Sequence, residues 1–148
     1  MNKKIIGYTT GVFDLFHIGH LNILKNAKSK CDILIVGVTT DELVEKRKNK
    51  RRVIPFEERC EIIKSIKFVD KVVSQENMDK FEAWEKHKFD IMFVGSDWKG
   101  TETWNILEQE FAKRNVKVIF FPYTQTTSST LIKQLIEKEI QRWKYEYC

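Results

Sequence analysis

Residues 32–38, Asp-Ile-Leu-Ile-Val-Gly-Val, form a nearly unbroken apolar run. A strand of this kind is buried on both faces, the mark of a parallel sheet covered by helices. Four further runs repeat the theme, over about Ile5–Thr9, Lys71–Ser74, Asp90–Val94 and Val116–Phe121. Between them, apolar residues recur at helical spacing. Leu21, Leu24 and Ala27 mark a helix over about Gly19–Ser29, and Phe56, Cys60, Ile63 and Ile66 mark one opened by Pro55. Met78, Phe81 and Trp84 mark a third, to His87; Trp104, Leu107 and Phe111 mark a fourth. Ser128-Ser129-Thr130 caps a last one carrying Leu131, Leu135, Ile136 and Ile140. After Thr39-Thr40-Asp41-Glu42, which offers caps, a short helix through Leu43 and Val44 is expected to end in a basic loop.

Strand-helix alternation over the whole length predicts an α/β fold: a Rossmann-like, doubly wound, five-stranded parallel sheet with helices on both faces. One domain over residues 1–148 is expected. In such sheets ligands bind beyond the carboxyl ends of the strands, near the switch in strand order. Polar segments follow strands one, four and five: His17 with His20, Asp97 with Trp98, and Ser128 with Ser129. The connectivity predicts that they meet at one rim.

The first of these segments is the most informative. Gly11-Val12-Phe13-Asp14-Leu15-Phe16-His17-Ile18-Gly19-His20 places two of the three histidines at a strand-loop-helix junction. Such junctions present backbone N–H groups and the positive end of a helix dipole to anions. Histidine adds donors, neutral or charged near pH 7. Phosphate handling is the chemistry suggested. Asp14 could orient a histidine, approach a metal or cap the loop.

Charge points the same way. Residues 46–52, Lys-Arg-Lys-Asn-Lys-Arg-Arg, carry six positive charges, more than the whole chain's net +5. The excess is one local patch, which disfavours a broad nucleic-acid footprint and favours a compact polyanion. No apolar run approaches the ~20 residues of a membrane span. Met1-Asn2-Lys3-Lys4 leads into a strand without signal-peptide features. Three cysteines, Cys31, Cys60 and Cys148, lack metal-ligand spacing and suit a reducing cytoplasm.

These motifs resemble the cytidylyltransferase family of nucleotidyltransferases over nearly the whole chain, to about Ile140. The likeness rests on the His-Ile-Gly-His segment after Phe13-Asp14, on Gly95-Ser96-Asp97-Trp98-Lys99-Gly100, and on the basic segment followed by Pro55-Phe56-Glu57-Glu58-Arg59. A fourth family signature, Arg-Thr-Glu-Gly-Ile-Ser-Thr, appears altered as Tyr123-Thr124-Gln125-Thr126-Thr127-Ser128-Ser129. The resemblance implies transfer of CMP from CTP to a small phosphorylated alcohol, glycerol 3-phosphate first, releasing pyrophosphate. Another acceptor such as a sugar phosphate, with CTP or ATP, is the alternative, because the family arginine is Tyr123 here.

It also implies the roles. His17, His20, Lys48 and Arg59 would be catalytic. Thr10, Gly11, Phe13, Asp14, His17, His20, Lys50, Asp97, Trp98, Thr127, Ser128 and Ser129 would hold the nucleotide, with Lys46 and Arg47 as register alternatives in the basic segment. Magnesium would arrive with the triphosphate, without a metal cage of protein ligands. A homodimer without nucleic-acid or membrane partners is the expected form.

Overall fold

The computed structural model describes residues 3–48 and 52–147. Five strands, β1 (Ile6–Gly11), β2 (Ile33–Thr39), β3 (Lys71–Gln75), β4 (Ile91–Gly95) and β5 (Lys117–Phe121), pair in parallel in the order β3-β2-β1-β4-β5. Among the described residues, six α-helices connect and follow them: α1 (Ile18–Lys28), α2 (Asp41–Lys48), α3 (Phe56–Lys64), α4 (Lys80–His87), α5 (Glu102–Ala112) and α6 (Ser129–Tyr147). The strand order reverses between β1 and β4, so the switch point lies beyond Gly11 and Gly95.

Two apolar clusters show why the sheet is covered on both sides. Leu24 and Ala27 of α1 and Cys60 and Ile63 of α3 pack with Leu34, Val36, Val38 and Phe93 on one face. Trp104 and Phe111 of α5, joined by Phe81 and Trp84 of α4, pack with Tyr8, Ile35 and Met92 on the other. Strands alternate their side chains between faces. Consecutive residues of β2, Leu34 and Ile35, accordingly enter opposite clusters, which explains why that run is apolar throughout.

One expected boundary is corrected. The basic segment does not begin as a loop, because α2 continues through Lys46, Arg47 and Lys48. Lysine and arginine are good helix formers. Here they follow Asp41 and Glu42 in the first turn, so acids sit at the positive end of the dipole and cations at the negative end. The segment Gly95–Gly100, expected to be irregular, contains a 3-10 turn over Ser96–Trp98. Helix α6 leaves the domain as an exposed rod: every residue from Gln134 to Glu146 is exposed.

Candidate active site

A cleft of about 890 Å³ opens over the switch point. Gly11 and Gly95 mark its floor, where β1 and β4 end. Its walls come from the three expected loops, represented by His20, Trp98 and Ser129. The loops are tied together directly. Ser129 donates through Oγ to the Asp14 carbonyl at 2.6 Å, and Asn22 Nδ2 donates to Thr124 Oγ1 at 3.0 Å.

The histidine pair is locked by its own helix end. His17 is the N-cap of α1, and its Nδ1 accepts from the Gly19 N–H at 3.0 Å. His20 Nδ1 accepts in return from the His17 N–H at 3.2 Å. This is the reciprocal arrangement of a capping box, built from imidazoles in place of hydroxyl and carboxylate. Each Nδ1 is an acceptor, so the proton of each neutral ring sits on Nε2. The rings lie 3.9 Å apart between centroids. Burial holds His17 below the ordinary histidine range. It lowers His20 further, to about 4, with help from His17 and against the opposing charge of Asp14. Both are therefore neutral donors at pH 7.

Gly19 is required by this packing. A Cβ there would lie 2.7 Å from His17 Cε1. The loop before the helix is tightly wound, with Phe13 at φ 55° and Leu15 at φ 51°, left-handed values uncommon outside glycine. Phe13 is nonetheless buried in the core and meets His20 edge-on at 5.4 Å. Burial of its ring holds that turn.

Asp14, for which three roles were open, holds backbone amides of a neighbouring segment. Its carboxylate accepts from the Val53 N–H at 2.7 Å and the Ile54 N–H at 2.9 Å, with Lys133 Nζ at 3.4 Å. Burial pushes its pKa up, but those amides and the ammonium outweigh it and leave it below the usual range. Asp14 thus fastens the segment after the basic stretch to the first loop.

Arg59 sits elsewhere than the resemblance implied. It is fully buried. Its Nε donates to Ile54 O, its Nη1 to Val12 O and Thr39 O, and its Nη2 to Asp41 Oδ1 at 2.6 Å. The guanidinium binds three carbonyls, at the ends of β1 and β2 and before α3, and a carboxylate, so it positions those strand ends and faces no open space.

Tyr123, at the family's arginine position, stands over Gly95. A Cβ at residue 95 would lie 2.5 Å from the tyrosine hydroxyl. Burial raises the phenol's pKa, as do the charge of Asp97 and the hydrogen bond given to it. Trp98 is about half exposed and lines the cleft. Ser128 caps α6 by accepting from the Leu131 N–H, and Thr127 precedes it; of these three neighbours Ser129 lines the cleft. Thr10 lines it beside Gly11.

Cations approach from several elements. Arg47, one of the register alternatives, lines the cleft, as do Arg52, Lys80 and Lys133. Lys50 lies outside the described residues, and the side chain of Lys48 is likewise not described. Lys133 carries a signal in the sequence. Ser129, Lys133 and Glu137 recur every four residues along α6, the spacing of one helical face. Lys80 had none, being a charged residue at a helix start. Among the described residues no group of three or more His, Cys, Asp or Glu side chains is placed to hold a metal ion.

A switch-point cleft lined by a neutral imidazole donor and several cations suits phosphate groups. A family model described as cytidylyltransferase-like matches residues 8–135. The chain belongs to this cytidylyltransferase-like family and is a nucleotidyltransferase. It is 38% identical over 133 residues to a glycerol-3-phosphate cytidylyltransferase of Bacillus spizizenii, covering 89% of this chain and 95% of that one. It is also 37% identical over 142 residues to an FAD synthase of Thermococcus sibiricus, covering 94% and 95%. A solved structure of a lipopolysaccharide core biosynthesis protein from Thermoplasma volcanium matches with a TM-score of 0.69 and 27% identity, covering 84% of this chain and 100% of that one.

Proposed function

We propose that this enzyme transfers CMP from CTP to the phosphate of a small phosphorylated alcohol, with glycerol 3-phosphate the leading acceptor. An oxygen of the acceptor phosphate attacks the α-phosphorus of CTP. The bond from that phosphorus to the bridging oxygen breaks, and pyrophosphate leaves with the electron pair. The nucleophile is already ionised at neutral pH, so no general base is required. Catalysis consists of aligning two anions and receiving charge as it develops.

The observation that carries this reading is the pair of neutral histidines. Their Nδ1 atoms are held by backbone N–H groups at the start of α1, which leaves Nε2–H as the donor. A fixed neutral donor meets phosphate oxygens without having to gain or lose a proton. The positive end of α1 adds to it. Magnesium would accompany the triphosphate, as it does where protein ligands are few. Asp14, the carboxylate beside the histidines, is already engaged by two amides and Lys133. That engagement fits an ion held mainly by nucleotide oxygens and water, which would neutralise triphosphate charge.

A second reading keeps the reaction and changes the substrates. FAD is a pyrophosphate joining a flavin phosphate to AMP, so a relative named FAD synthase invites ATP as donor. Tyr123 in place of arginine favours keeping it open, because the aromatic ring lies on the cleft wall beside Asp97. One experiment separates the readings: pyrophosphate release with CTP or ATP against glycerol 3-phosphate, sugar phosphates and flavin mononucleotide. CTP with glycerol 3-phosphate is the pair expected to turn over. Turnover with ATP alone would replace the first reading, and none with any pair would remove both.

A further inference from the structure

Helix α6 begins at the cleft and runs out into solvent. Ser129 ties its start to the first loop, and from Gln134 to Glu146 every residue is exposed. From Ile136 onward it lies beyond residues 8–135, the span shared with the family, so this rod is a feature of the chain itself. A helix of a few turns is marginal in water unless it packs an apolar face. This one presents such a face to solvent. Ile136, Ile140 and Trp143 follow one another at spacings of four and three residues and are 49%, 50% and 58% exposed. That spacing is the seam of a coiled coil, with Ile140 at an a position and Ile136 and Trp143 at d positions.

The charges beside the seam point to what covers it. In this register Glu139 and Glu146 border one edge as g positions, and Glu137 and Lys144 border the other as e positions. Arg142 of the same helix is taken by Glu146. Glu139 and Lys144 make no ion pair among the described residues. They stand five residues apart, the offset at which a g position meets the e position of an identical helix running parallel and in register. Each Glu139 then faces the partner's Lys144, and symmetry makes the pair twice. Antiparallel pairing would set the two Glu139 edges against each other. One helix carries both halves of a charge match that a second, parallel copy brings together.

We propose that two copies of this chain pair through the outer half of α6, parallel and in register, with Ile136, Ile140 and Trp143 in the seam and Glu139 bonded to the partner's Lys144 at each edge. The inner end of the same helix carries Ser129 and Lys133 to the cleft, so the pairing steadies an element of each site.

The test is sedimentation equilibrium of the wild-type chain from about 1 to 100 μM, because a seam this short belongs with the small, weak interfaces. A monomer–dimer equilibrium is expected in that range. Ile140→Glu should raise its dissociation constant about 10-fold or more. Glu139→Lys and Lys144→Glu should each weaken pairing about fivefold. Both changes in one chain should return it to within about twofold of wild type, with circular dichroism showing every variant folded. A monomer at every concentration, including one that binds phosphatidylglycerol vesicles, overturns the proposal. A dimer indifferent to Ile140→Glu overturns it too, as does a double exchange no better than the single ones. A second measurement uses a crosslinker. Cys148 follows α6 in the sequence, so parallel pairing sets the two copies of it at the same end. A short bismaleimide should join two wild-type chains, and Cys148→Ser should abolish the product. No product from a sample that sediments as dimer, or one that survives Cys148→Ser undiminished, overturns the parallel arrangement.

Discussion

Arg59 and Lys80 are both buried cations beside the ends of β1 and β2, and they do opposite things. The Arg59 guanidinium is bound by three carbonyls and by Asp41. The Lys80 ammonium has one hydroxyl partner, from Thr10, and faces the cleft. A cation whose hydrogen-bonding capacity is spent on the protein is a strut. One with capacity left over, next to open space, is available to a further partner. Residue type does not distinguish them; the accounting of partners does.

That contrast can be measured. Replacing Arg59 should have the largest effect on stability. Arg59→Met leaves three carbonyls without this donor and takes one partner from Asp41, which keeps Arg52 and the Phe56 N–H; this should cost about 3–5 kcal/mol, read by urea denaturation. If the cost stays under about 1 kcal/mol, the strut assignment fails. The histidine donors should come next, through rate. His20→Gln keeps an acceptor for the His17 N–H, as glutamine does in an ordinary capping box, but loses the imidazole donor. Turnover should fall ~10²–10³-fold with the fold intact, checked by single-turnover kinetics beside circular dichroism. An unchanged rate would place the chemistry elsewhere.

The same variant tests the pH dependence. His20 is neutral in the folded protein down to about 4, while its ordinary value is 6.5. The unfolded chain therefore takes up a proton that the folded one refuses. Stability should be full above about 6.5 and fall as pH drops towards about 4. Melting temperature followed across that window should decline in wild type and decline less in His20→Gln. The smallest effect is expected at Lys80. Lys80→Met removes a buried charge without a carboxylate partner, so its unfolding free energy should stay within about 1 kcal/mol of wild type or rise. A loss as large as that expected for Arg59→Met would make Lys80 a strut too, and erase the contrast.

The two residues also mark how far sequence reading reached. Arg59 was singled out by resemblance, and its burial could not be read from Pro-Phe-Glu-Glu-Arg, where it looks like one charge among several. Its partners come from residues 12, 39, 41 and 54, which become neighbours once β1, β2 and α3 have packed. The burial of Lys80 is hidden from the sequence for the same reason. Its hydrogen bond to Thr10 spans 70 residues. The extent of α2 is a local matter: a run of cations reads as solvated, while its helix propensity and the helix dipole favour continuation through Lys48.

What the sequence determined alone is the architecture and the centre of the site. Strand and helix periods are local properties of the chain, and the right-handed connection rule turns their alternation into a parallel sheet. The segment from Gly11 to His20 also carries its own geometry, since both histidine bonds span two or three residues. The tertiary structure decided which charges are free. Whether a cation is spent on the protein or left available depends on carbonyls, hydroxyls and carboxylates brought from distant elements, and on whether solvent or a cleft lies beyond. Those quantities exist only after packing.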